Sequence, residues 1–288
     1  MTKKQRKKLT KRAIIISSVL LVLFVCVSIL YVYSEDYYKR YRDCPQLSID
    51  STKYPVLGID ISAHQGKIDW KLVAENKVSF AFLKATEGVN FVDKNFSSNW
   101  KTAKQQNIIV GAYMFFRFNK DGKMQARNFI NNVKLSDNDL PPVVDFEASY
   151  GNRLGKYKVK YMQNQLLKCL RELEKHYGQK PIIYTNVTTY TNYIKGNFDD
   201  YPLWICKLCN EPTKNVKWTF WQYSHKGSIT GIKGHVDVNL YNGSYTEFVN
   251  FINNSHGKKV KQDAKQQNRP TNRRNPQNTK SKTTGKGV

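Results

Sequence analysis

Between Tyr54 and about Ile252 the chain carries eight short β-forming runs, and their order limits the possible folds more than any other feature. They occupy residues 56–62, 80–86, 108–116, 142–147, 181–186, 203–206, 220–224 and 236–241. Several, such as FAFLKAT, IIVGAYMFF and PIIYTN, are almost continuously apolar, as a strand buried on both faces requires. Helical patterns fill the early gaps at 69–77, 95–106, 123–134 and 156–177, with a weaker one at 188–194. The longest places Val159, Met162, Leu166, Leu167, Leu170 and Leu173 at helical spacing and stops before Gly178. Only short gaps containing Gly and Pro separate the last strands, which leaves little room for full helices. The pattern predicts an α/β fold, a TIM-like barrel of five βα units followed by three closely spaced strands. An open doubly wound sheet is the alternative, but no Gly-rich phosphate loop follows the first strand.

Outside the barrel region the composition changes. Ala13 to Tyr33 is an uncharged run of 21 residues, at about 1.5 Å per residue the thickness of a bilayer core. A cleavable signal would be shorter and end in small residues, whereas this run ends in Tyr31, Tyr33 and then Glu35-Asp36. An uncleaved transmembrane signal anchor over 13–33 is therefore expected, with the basic segment 1–12 in the cytoplasm and the remainder outside. Residues 34–52 read as a polar stalk, 53–256 as the barrel domain and 257–288 as a basic disordered tail. The two basic ends carry sixteen of the twenty-five net positive charges, so the excess does not belong to a folded basic face. With no groove-reading motif present, nucleic acid is not an expected partner. The five cysteines are scattered, and Cys206-Lys-Leu-Cys209 has no second pair to complete a zinc site, so no metal and no cofactor are expected. A monomer is expected.

Active sites of such barrels lie at the C-terminal ends of the strands. Four acids fall at or near strand ends: Asp60 in GIDIS, Asp145 and Glu147 in VVDFE, and Asp237 in GHVDVN. A single buried carboxylate is usually a satisfied structural group, but four converging on one mouth point to chemistry. Asp145 and Glu147, two apart on a strand, should share one face, and crowding them raises the pKa of one member. That division supplies what glycoside hydrolysis needs, a proton for the leaving oxygen and negative charge beside an oxocarbenium-like centre. Tyr113, Tyr184, Trp204, Trp221 and Gln222 are the candidate substrate contacts, with Trp221 and Tyr184 favoured for stacking on a sugar ring. His64 and His235 also lie near strand ends, but no Ser or Cys occupies a nucleophile elbow.

Taken together, GIDIS–QGKIDW, FAFLKATEG, GAYMFF, VVDFE, YTN, LWI, WQYS and GHVDVNLYNG, from about Val56 to Asn242, resemble the family 25 glycoside hydrolases in order and spacing. The resemblance implies a muramidase that cuts the β-1,4 bond from N-acetylmuramic acid to N-acetylglucosamine in peptidoglycan glycan strands without a metal. It implies Glu147 as general acid, Asp145 as its partner, and Asp60 and Asp237 completing the site. Met114, where relatives often have His, and Cys206, where a small residue is common, depart from the pattern without removing a carboxylate. The rival readings are a non-catalytic wall-binding barrel on a membrane stalk and a hydrolase of another N-acetylated glycan such as chitin.

Overall fold

The computed structural model describes residues 3–42, 47–149, 151–153, 155 and 157–255. Eight strands form a closed mixed barrel: β1 (Leu57–Ile61), β2 (Phe80–Glu87), β4 (Ile109–Phe115), β5 (Val143–Asp145), β6 (Ile182–Asn186), β7 (Leu203–Cys206), β8 (Phe220–Gly227) and β9 (Val236–Tyr241). A two-residue strand, β3 (Phe91–Val92), is appended antiparallel to the end of β2. Neighbours from β1 to β8 pair in parallel, while β9 runs antiparallel to both β8 and β1 and closes the ring.

Helices follow the early strands: α2 (Trp70–Glu75), α3 (Phe96–Gln105), α4 (Gly122–Asn132), α5 (Val159–Tyr177) and α6 (Val187–Thr189), the last running into a π turn over Tyr190–Ile194. Local chemistry sets their ends. Asp69 accepts from the backbone N–H groups of Lys71 and Leu72 to start α2, and Gly178 takes a left-handed φ of 70° to end α5. A helix over 245–255, α7, was not among the expected elements.

Alternation along the strands divides the core in two. Phe80, Phe82, Val143, Ile182, Tyr184, Trp204 and Phe220 belong to one cluster inside the barrel, which Phe248 and Ile252 of α7 join. Ile59, Ala81, Leu83, Val110, Met114, Val144, Ile183, Ile205 and Trp221 belong to the larger outer cluster beneath the helices. Two glycines make the inner cluster possible. A Cβ at Gly58 would meet the Phe80 ring at 2.3 Å, and one at Gly111 would meet Phe82 at 2.6 Å.

Helix α1 (Lys3–Arg42) contains the expected span, and its stretch Lys3–Tyr31 is long and apolar enough to cross a membrane, as a signal sequence would also be. The helix continues through Arg42, so the first part of the expected stalk is helical. Leu47 and Ile49, at the other end of that stalk, pack against the outer core of the barrel. Cys44 and the basic tail lie outside the described residues.

Candidate active site

The barrel brings the four acids to one mouth, by two routes that differ from the expected one. Asp60 and Asp145 do sit at the C-terminal ends of β1 and β5. Asp237 is the second residue of β9, but β9 is antiparallel, so its N-terminal end opens at the mouth and Asp237 pairs directly with Asp60. Glu147 lies beyond β5, which ends at Asp145 rather than continuing to 147. The backbone N–H of Phe146 still donates to the Tyr184 carbonyl at 2.9 Å, which preserves the alternation: Phe146 turns outward into the core and Glu147 turns inward. Asn152 then fixes the turn, donating to the carbonyls of Glu147 and Phe116, each at 2.9 Å, while accepting from the Phe118 N–H.

Below the mouth a hydrogen-bonded chain holds Asp60. Trp204 Nε1 donates to Asn239 Oδ1 at 2.8 Å, and Asn239 Nδ2 donates to Asp60 Oδ2 at 2.8 Å. Tyr184 donates to Gln222 Oε1 at 2.7 Å, and Gln222 Nε2 donates to Asp60 Oδ2 at 2.8 Å and to Asp237 Oδ2 at 3.4 Å. Burial and the facing Asp237 push the Asp60 pKa up to about 8, against the opposing pull of these two amide donors.

Asp145 and Glu147 are also held above their ordinary range. For Asp145 the causes are burial and then the charge of Glu147, with Lys84 pulling the other way. Its Oδ1 is buried without a hydrogen-bond partner among the described residues. Burial pushes half-buried Glu147 up to about 7, moderated by a hydrogen bond from Asn186. Asn186 can give that bond because its Oδ1 is already committed to capping α6 through the Thr189 N–H, which leaves its Nδ2 to donate. Two carboxyls that both resist ionisation keep at least one shared proton near neutral pH. The mouth can therefore protonate a leaving group while presenting negative charge beside it.

The aromatic candidates fare differently. Trp221 faces outward and is 2% exposed, enclosed by Tyr54, Trp218 and Tyr223 at ring distances of 6.0, 5.9 and 5.7 Å. It presents no face to a sugar, because β8 places it one residue before inward-facing Gln222. Trp204 and Tyr184 do point into the barrel, but they are buried against each other and Phe82 as the floor of the site. Gln222 is likewise buried and works through Asp60 and Asp237. Tyr113 is the one of the five that is half-buried in the inner cluster beneath the acids.

Several polar residues at the mouth escaped the sequence reading. His225 Nδ1 lies 2.9 Å from Asp237 Oδ1, and its Nε2 lies 3.8 Å from Cys206 Sγ. Lys84 is bonded at 2.6 Å to Glu87, which also pairs with Arg117. Phe91 stands half-exposed on β3, with the Lys84 ammonium 5.6 Å from its ring. The motif FAFLKATEG contained the signal for two of these, a lysine and a glutamate at the end of an apolar strand. Among the described residues neither His64, whose backbone N–H donates to Ser62 Oγ, nor His235 is bonded to any of the four acids; the histidine that is bonded to one is His225. Cys206 is a free thiol whereas Cys209 is disulfide-bonded, so the Cys-Lys-Leu-Cys spacing does not act as a pair.

Comparison with known proteins agrees with this architecture. The model for glycosyl hydrolases family 25 matches residues 59–232. The Escherichia coli protein YegX is 36% identical over 206 residues, covering 69% of this chain and 74% of that protein. Lysozyme M1 of Streptomyces globisporus is 34% identical over 215 residues, covering 69% and 72%. The structure of a family 25 glycosyl hydrolase from Bacillus anthracis superposes with a TM-score of 0.68 at 37% identity, covering 72% of this chain and 96% of that one. A match of that extent, over a barrel whose mouth gathers four acids, places the chain in glycosyl hydrolase family 25.

Proposed function

We propose that this glycoside hydrolase is a membrane-anchored muramidase that cleaves the β-1,4 bond from N-acetylmuramic acid to N-acetylglucosamine in peptidoglycan. The observation that carries the reading is the convergence of Asp60, Asp145, Glu147 and Asp237, with Glu147 half-buried and its pKa pushed up to about 7. A relative named as a lysozyme, 34% identical over 215 residues, supports the reading. The fold reads as a TIM-like barrel of five βα units followed by three closely spaced strands, with α7 after the last of them, and helix α1 as the anchor that keeps the barrel outside the cytoplasm.

In this mechanism Glu147 gives its proton to the leaving glycosidic oxygen as the bond to the anomeric carbon breaks. The 2-acetamido oxygen of the substrate attacks that carbon, and Asp145 accepts a hydrogen bond from the acetamido N–H. Such a bond to the carboxylate favours its ionised form and leaves the proton on Glu147. Water then attacks the cyclic intermediate while the Glu147 carboxylate takes its proton. The test is to incubate the detergent-solubilised full chain with purified peptidoglycan and identify the new reducing sugar by mass spectrometry. Muramic acid ends are expected, and N-acetylglucosamine ends would contradict the assignment.

A further inference from the structure

We infer that His225 is a positioning residue, carried into the mouth by irregular pairing of β8 and held between the Asp237 carboxylate and the Cys206 thiol, where it sets the charge balance around Glu147. The inference rests on the assignment of Glu147 as proton donor. Regular alternation from inward-facing Gln222 would turn Tyr223 out, Ser224 in and His225 out. The register with β9 instead shifts between Gln222 and Ser224 and again between Ser224 and Gly227. Bulged pairing of this kind re-aims side chains, and here it delivers the imidazole to Asp237 on β9 and Cys206 on β7.

The groups around this ring are mostly acidic. Asp237 faces it from β9, Asp60 from β1, Glu147 from the segment after β5, and the Cys206 thiol from β7 with Tyr184 of β6 behind it. Lys84 and Arg117, the nearby cations of the mouth, are already engaged by Glu87. Burial alone would favour a neutral imidazole. The hydrogen bond to the Asp237 carboxylate outweighs it and holds the His225 pKa above the ordinary histidine value. The imidazolium then offsets Asp237, whose charge raises the pKa of both Asp60 and Glu147, and its own charge lowers both. Without His225 the proton on Glu147 would be held more tightly and its conjugate base would form only at higher pH.

His225→Asn separates charge from hydrogen bonding, because the Asn amide nitrogen can replace Nδ1 as a donor to Asp237 while carrying no charge. In the detergent-solubilised full chain, the alkaline limb of the kcat/KM profile on peptidoglycan should move to higher pH by about half a unit or more. A merely structural histidine would change thermal stability and leave the limb in place. The second arm does not depend on turnover: 15N NMR of histidine-labelled full chain should show His225 doubly protonated through pH 8. An unmoved limb, or a ring that titrates near the ordinary histidine value of about 6.5, overturns the inference. The two assignments fail separately. Retained turnover in Glu147→Gln would remove the proton donor, whereas an inactive Glu147→Gln beside an unmoved His225→Asn limb would remove only the role of His225.

Discussion

Asp60 and Asp237 stand opposite each other on the β1–β9 ladder and share one amide donor, Nε2 of Gln222, at 2.8 and 3.4 Å. Burial of Asp60 and the charge of the facing Asp237 outweigh the amide donors of Asn239 and Gln222, so Asp60 retains its proton far above the usual carboxylate range.

That relationship predicts how stability varies with pH. Asp60 has an ordinary pKa of 3.8 when unfolded and about 8 when folded, so between those values the folded state binds more protons. Its stabilising contribution is complete below the lower value and declines as pH rises through the window. The melting temperature of the wild type should therefore fall between pH 5 and pH 8, by on the order of 5 °C. Asp60→Asn should flatten that slope, because its amide oxygen can still accept from Gln222 and Asn239 without carrying charge. Calorimetry across the range checks this, and equal slopes in both proteins would contradict it.

Glu147→Gln should remove the proton donor while leaving the fold intact, lowering kcat on the order of 10²-fold or more. In the wild type the alkaline limb should lie near pH 7, with activity present below it and lost above, since the donor must be protonated. A folded Glu147→Gln protein with near wild-type turnover would sink the assignment.

Asp145→Asn should lower kcat sharply with little change in KM, as expected for an interaction that strengthens in the transition state. A slowly turned-over fluorinated substrate followed by peptide mass spectrometry should leave no sugar on Asp145. A covalent adduct there would replace the substrate-assisted route with direct attack by the carboxylate.

Trp221 and Tyr113 should behave in opposite ways. Trp221→Ala opens a cavity in the outer core and should cost about 3–5 kcal/mol of stability, with KM unchanged in the fraction that folds. Tyr113→Phe should leave the melting temperature nearly constant and raise KM on the order of 3–10-fold through loss of its hydroxyl. Denaturant titration and steady-state kinetics on both variants decide the matter, and a raised KM in Trp221→Ala would restore that residue to the site.

Membrane anchoring is tested by topology. Reporter fusions after Lys53 should be active only outside the cytoplasm, and the full-length protein should fractionate with membranes. Release of the chain without its first 33 residues would show cleavage in place of anchoring.

Local pattern determined a great deal of this protein. Near-continuous apolar runs such as 80–86 and 181–186 read as strands covered on both faces, and their alternation with amphipathic segments pointed to a barrel or an open doubly wound sheet, between which the pairing of β1 with both β2 and β9 decided. The acids were legible for the same reason, since a carboxylate at the end of an apolar strand is costly without a purpose. Tertiary structure decided what depends on direction and register. Asp237 reaches the mouth because β9 is antiparallel, a property set by its pairing with β1 and β8. Of the two neighbouring candidates on β8, Trp221 turns into the outer core while Gln222 turns inward to Asp60 and Asp237, because adjacent strand residues face opposite sides. His225 was hidden from any alternation rule because shifts in register, formed only when β8 meets β9, turned it inward. Residue type and spacing identified the chemistry available to the chain, while the long-range pairing of strands chose which side chains share the mouth, because only that pairing brings residues about 180 positions apart into hydrogen-bonding distance.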